Sequence, residues 1–143
     1  MSGGLTPLRA AAAALAVAAV LQLVPVARTN PPVTSEVDAP RNVKAILERS
    51  CYDCHSNRTR WPWYSRVAPV SWLVARDVRL GRRELNFSEW PAFDFEEQDD
   101  LMAHIAKQVE RGRMPLPIYL TMHAGAKLSA ADRRTLVAWA KGE

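Results

Sequence analysis

Both cysteines of this chain fall in one pentapeptide, Cys51-Tyr52-Asp53-Cys54-His55, and that placement constrains the fold more than any other feature. A cross-link between distant segments is unavailable, so two thiols and an imidazole are presented together from one short stretch of backbone. The chain has 143 residues, 10 of them Pro and 6 Gly, which is the size of one small domain rather than of a multidomain enzyme. Setting aside an apolar N-terminal stretch leaves about 116 residues, enough for one core but thin without a staple. Five Trp, three Tyr and three Phe argue against disorder. The formal charge is +4, and with no Lys/Arg tract and no RNA-binding aromatic signature nothing points to a nucleic-acid partner.

Ala10 to Ala27 carries no charge, and only Gln22 in it is clearly polar. As one helix the run spans roughly 27 Å, close to the thickness of a bilayer core. Residues 1–28 are therefore expected to form an N-terminal signal-anchor or transmembrane segment. A cut after Ala27 would put Pro25 where small residues are wanted, and a cut near Val17-Ala18-Ala19 would leave an apolar tail, which favours a retained anchor over a cleaved signal peptide. Residues 29–37, with Pro31 and Pro32, read as an extended linker, and 38–143 as the folded domain.

Within that domain helices are expected from Asp38 to about Ser50, from Val67 to about Arg83, from Glu96 to Arg111, and after Ser129, where Asp132 three residues on completes a capping box. Asn86 to Asp94 reads as loop, and Pro115 and Pro117 deny regular structure to Arg113–Lys127. No stretch alternates as a strand should, so the domain is expected to be all-α. Charge is segregated: seven Arg against Asp77 between Arg58 and Arg83, then seven acids and no base from Glu84 to Asp100. The segregation fits either a basic and an acidic pole that orient a charged partner or simply two solvated helix faces.

The order Cys-x-x-Cys-His is the attachment signature of a c-type haem: two thiols add across the two vinyl groups of one porphyrin, and the next residue ligates the iron. Cys51 and Cys54 are then attachment residues, His55 the proximal ligand, and a single covalent haem c both cofactor and staple. Three other readings stay open: a redox dithiol, whose motif would open a helix after a strand; a zinc site, which would want further ligands; and a structural disulfide. For the distal ligand, Met114 in the proline-stiffened Gly112-Arg113-Met114-Pro115 is the first candidate and would raise the potential. His123, in the same loop, is the runner-up. His104 reads as a boundary residue, and Met102 and Met122 as packing. The run Trp61-Pro62-Trp63-Tyr64, with Trp72, offers rings to wall a porphyrin and, with Arg66 or Arg76, donors for its propionates. No catalytic residue is assigned.

From Asp38 onward the chain resembles the bacterial haem-binding domain family with a single Cys-x-x-Cys-His. The resemblance runs through Cys51-Tyr52-Asp53-Cys54-His55-Ser56-Asn57, Trp61-Pro62-Trp63-Tyr64-Ser65, Ala68-Pro69-Val70-Ser71-Trp72, Gly81-Arg82, Leu85-Asn86-Phe87-Ser88-Glu89-Trp90, Met114-Pro115-Leu116-Pro117 and Leu128-Ser129. It implies haem attachment and an N-terminal hydrophobic segment. The order of helix, haem motif, Met loop and closing helix is also similar to class I cytochromes c, in which the first and last helices cross beside the haem. The Asn57–Trp90 insertion departs from that pattern.

These features lead to a membrane-tethered monohaem c-type cytochrome on the periplasmic side of a bacterial inner membrane, passing single electrons to a redox protein partner. The scarcity of acid and base candidates near the motif weighs against an enzyme. The alternatives are a haem enzyme or gas or redox sensor with an open distal site, and an accessory haem subunit of a larger oxidoreductase.

Overall fold

The computed structural model describes residues 6–90 and 93–143. Among them no strand occurs; the chain is helical, with one isolated parallel bridge between Ser35 and Glu89. The helices are α1 (Pro7–Leu21), α2 (Arg41–Ser50), α3 (Tyr52–His55), α4 (Val70–Glu84), α5 (Phe95–Glu110), α6 (Pro117–Leu120) and α7 (Ala130–Lys141), with single 3-10 turns at Trp63–Arg66 and Ala124–Ala126. The chain divides into two compact units, residues 1–28 with Trp61–Asp77 and Thr29–Arg60 with Val78–Glu143.

In the first unit, the expected apolar span is shorter than the uncharged run. Helix α1 has 15 residues, roughly 22 Å, and ends at Leu21. Pro25 bars Val24 from helical conformation, and the Gln22 amide turns aside to bond the Ala68 peptide both ways, Nε2 to Ala68 O at 3.3 Å and Ala68 N to Oε1 at 3.0 Å. Among the described residues, no helix is long and apolar enough to cross a membrane. No residue of α1 is buried. Arg28 bonds Ser65 O, so both ends of the stretch after α1 are pinned to the 65–68 turn.

The second unit holds the core. Helix α2 begins at Arg41 behind Pro40, and Asp38 does not cap it. It buries Val43, Ile46 and Leu47 together with Ile105, Ala106 and Val109 of α5 and Leu136 and Ala140 of α7. Helices α5 and α7 make the most extensive contact, and α2 also packs on α7. Asp94 with Glu97, and Ser129 with Asp132, form complete capping boxes, which is why α5 starts at Phe95 and α7 at Ala130. Gly112, at φ +63°, lets the chain turn after α5.

Two stretches expected as loops differ. Asn86–Trp90 is irregular yet buried: Tyr52, Phe87 and Trp90 stack at centroid distances of 5.5 and 6.1 Å, and Phe87 is only 1% exposed. The end of that expected loop, at 91 and 92, lies outside the described residues. Residues 113–127 contain α6, since Pro117 sits where a helix's first turn needs no N–H. The linker 29–37 is extended but not free-standing: Thr34 and Ser35 N–H donate to Ser88 O and Val37 N–H to Phe87 O.

Candidate functional site

Helix α2 stops at Ser50, and Cys51 leaves helical conformation with φ −127°. The Cys51 carbonyl then accepts from Cys54 N–H at 3.2 Å and His55 N–H at 2.9 Å, closing the single turn of α3. Positions i, i+3 and i+4 share one helix face, so this turn gathers Cys51, Cys54 and His55. The imidazole is fixed from behind. His55 Nδ1 lies 2.9 Å from Gly81 O and 3.2 Å from Leu85 O, at the C-terminal end of α4. Carbonyls only accept, so Nδ1 carries the proton and Nε2 keeps the lone pair that binds a metal. Burial lowers the pKa of His55 below the usual histidine value, against the raising effect of the two carbonyls, and so keeps the ring neutral.

Helix α4 reaches this turn at a glycine. A Cβ on Gly81 would stand 2.5 Å from the Cys54 carbonyl oxygen, closer than any side chain can sit to backbone. The turn is tied on its other side by His55 O, which accepts from Phe87 N–H at 2.8 Å, and by Ser56 Oγ, which donates to Tyr52 O.

The cysteines are not joined by a disulfide. Burial, reinforced by the neighbouring Cys54, pushes the Cys51 thiol up to about 12. Dithiol oxidoreductases need the opposite, a thiolate stabilised below its ordinary pKa. Among the described residues no cluster of three His, Cys, Asp or Glu is placed to hold a metal ion. The turn thus presents two thiols not joined by a disulfide beside an imidazole whose Nδ1 carries the proton.

The model of a family described as a haem-binding domain matches residues 16–142. The chain belongs to the haem-binding domain family. No curated protein and no solved structure matches it. Membership makes haem the cofactor, and the Cys51–His55 turn of this haem-binding domain fits that group: an imidazole offering Nε2, with two thiols on the same turn.

Elsewhere in the second unit the expected residues are distributed unevenly. Met114 is half-buried, in the segment after α5, and the hydrogen bonds around the attachment turn do not join it to His55. His123 belongs to a separate group. Its ring stacks on Tyr119 at 4.0 Å, and its Nδ1 donates to the Tyr119 carbonyl at 3.1 Å. Tyr119 in turn donates its hydroxyl to Asp53 Oδ2 at 2.7 Å, while Arg60 holds Oδ1 through its backbone N–H and Nε. These residues, with Arg49, Gly125 and Ala126, line a cavity of about 270 Å³. Asp53 was a spacer in the motif as a sequence pattern; as structure it is a buried carboxylate with both oxygens bonded. Nothing in the local pattern marks Tyr119 as its partner, 66 residues away. His104 is exposed and bonds Gln108, and Met122 is 59% exposed rather than packed.

In the first unit, Trp63 is 73% exposed and meets Tyr64 edge-on at 5.7 Å. The indole nitrogen of Trp72 is buried with no acceptor among the described residues. Among the described residues the Ser50 and Tyr52 hydroxyls, in the second unit, are likewise buried without a hydrogen-bond partner, and a buried donor without a partner is costly.

Proposed function

We propose that the protein is a membrane-attached monohaem c-type cytochrome that passes single electrons, with its haem domain on the periplasmic side of a bacterial inner membrane. The observation that carries the reading is the attachment turn: Cys51, Cys54 and His55 on one helical face, with the Nδ1 proton of His55 donated to Gly81 O and Leu85 O. Bound at that turn, the haem supplies the Fe(III)/Fe(II) couple.

The chain's own contribution is to hold ligands and exclude water. Cys51 and Cys54 furnish the two thioether bonds, and His55 the proximal nitrogen. The two carbonyls behind His55 fix the plane and tautomer of its ring and increase its basicity, which favours the ferric state. Met114 would supply the second iron ligand, and a thioether there would favour the ferrous state. His123 stays the runner-up for that role: its ring stacks on Tyr119, and its Nδ1 donates to the Tyr119 carbonyl. Attachment to the membrane rests on the all-exposed apolar helix α1, too short on its own to span, continued by the uncharged residues up to Ala27.

Replacing Met114 by Ala tests the carrier reading. The variant is expected to keep its haem but lose the low-spin ferric spectrum and shift to a lower reduction potential. An unchanged spectrum and potential would remove Met114 as ligand and return the distal side to an open or sensory site.

A further inference from the structure

No residue of the segment that carries Met114, 114–123, is fully buried. No residue of α6 is buried, and Ile118 and Met122 are 61% and 59% exposed. Tyr119 and His123 of this segment line the cavity of about 270 Å³. The segment's C-terminal end is secured by Ala126 and Leu128, 3% and 5% exposed, and its N-terminal end by the bond from Arg113 N–H to Gln108 O. Between those ends, the hydrogen bonds of 114–122 among the described residues stay within 114–123, with one exception. The exception is the bond from Tyr119 to Asp53, made at 2.7 Å to a carboxylate that is 8% exposed.

We propose that the bond between the Tyr119 hydroxyl and the Asp53 carboxylate is a latch that fixes the Met114 segment to the haem-attachment turn and so controls access to the distal face of the iron. Asp53 suits the task because it sits between the two attachment cysteines and cannot move independently of them. Its other oxygen is held by Arg60, and its carbonyl accepts from Thr59 Oγ1 at 2.8 Å, so the carboxylate offered to Tyr119 is fixed. Stacking of His123 on Tyr119 stiffens the phenol from the loop side. Tyr119 is a positioning residue in this scheme, and the inference rests on Met114 being the distal ligand.

The test compares wild type with Tyr119→Phe, which deletes the hydroxyl and keeps the ring. Binding of added imidazole to the ferric protein is followed by stopped flow, and amide hydrogen exchange is followed across 113–127. With the latch gone, imidazole binding is expected to accelerate by about ten to a hundredfold, the equivalent of about 1.4 to 2.8 kcal/mol in local opening. Exchange at 117–123 is expected to accelerate equally. Val43→Ala, which weakens the α2 core instead, serves as the control for general destabilisation and is expected to leave both rates near wild type. Equal rates in wild type and Tyr119→Phe would overturn the latch. So would acceleration of the same size in Val43→Ala. If exchange at 117–123 rises while wild type already binds imidazole as fast as Met114→Ala does, Met114 is not the ligand and the latch has no iron to guard.

Discussion

Gly81 lacks a side chain because a backbone occupies the space. Its Cβ would lie 2.5 Å from Cys54 O and 3.0 Å from Cys54 Cβ, so any other residue pushes α4 off the attachment turn and pulls the Gly81 carbonyl from His55 Nδ1. Gly81→Ala is therefore expected to destabilise the folded protein by about 1–3 kcal/mol, the usual cost of forced overpacking, with the loss read from a denaturant melt. An unchanged melting midpoint would show that α4 yields there at no cost. At this scale the sequence was informative where chemistry is local. Cys51, Cys54 and His55 are legible because their spacing is itself the signal. Gly81, Leu85 and Tyr119 are not, because their roles come from a carbonyl or hydroxyl brought in from 26 to 66 residues away.

Helix α7 illustrates what holds an element in place. Ser129 Oγ accepts from Asp132 N–H, and Asp132 accepts from Ser129 N–H and Oγ–H and from Arg49 of α2. Those hydrogen bonds, the Ser129 backbone N–H foremost, hold the Asp132 carboxyl below its ordinary pKa. A depressed carboxylate pKa contributes stability above the unfolded value of about 4, and that contribution fades as pH falls through the folded value. Ser129→Ala is thus expected to cost about 1 kcal/mol at neutral pH and to make the acid limb of the stability curve shallower, measured by thermal melts from pH 7 down to pH 2. A variant parallel to wild type at every pH would contradict the role assigned to Asp132. The Ser129–Asp132 box lies within four consecutive residues, which is why the start of α7 was legible; α5, expected from Glu96 to Arg111, runs from Phe95 to Glu110. The burial of Phe87 and Trp90 was not, since an irregular segment becomes core only through the stack with Tyr52. The end of α1 was missed because charge and hydropathy do not register Gln22 bonding Ala68, 46 residues on.

Taken as a whole, the basic segment is less of a pole than its composition suggests. Arg58, Arg60, Arg76 and Arg83 each meet an acid, Glu36, Asp53, Asp77 and Glu84 respectively. Arg82 spends its guanidinium on Ser56 O, Thr29 O, Asn30 and Thr59, fastening the extended N-terminal segment of the second unit beside the Cys51–His55 turn. The core assembled around α2, α5 and α7 is small, and the attachment turn projects from the end of one of its helices, so a covalently bound haem would act as a staple that the chain cannot provide for itself. The most direct measurement is the intact mass of the protein, produced alongside haem-attachment machinery, under denaturing conditions. Wild type is expected to carry the mass of one haem, and a Cys51→Ala, Cys54→Ala double variant none. A wild-type chain that weighs only its polypeptide, with any pigment released on unfolding, would contradict covalent attachment at Cys51 and Cys54.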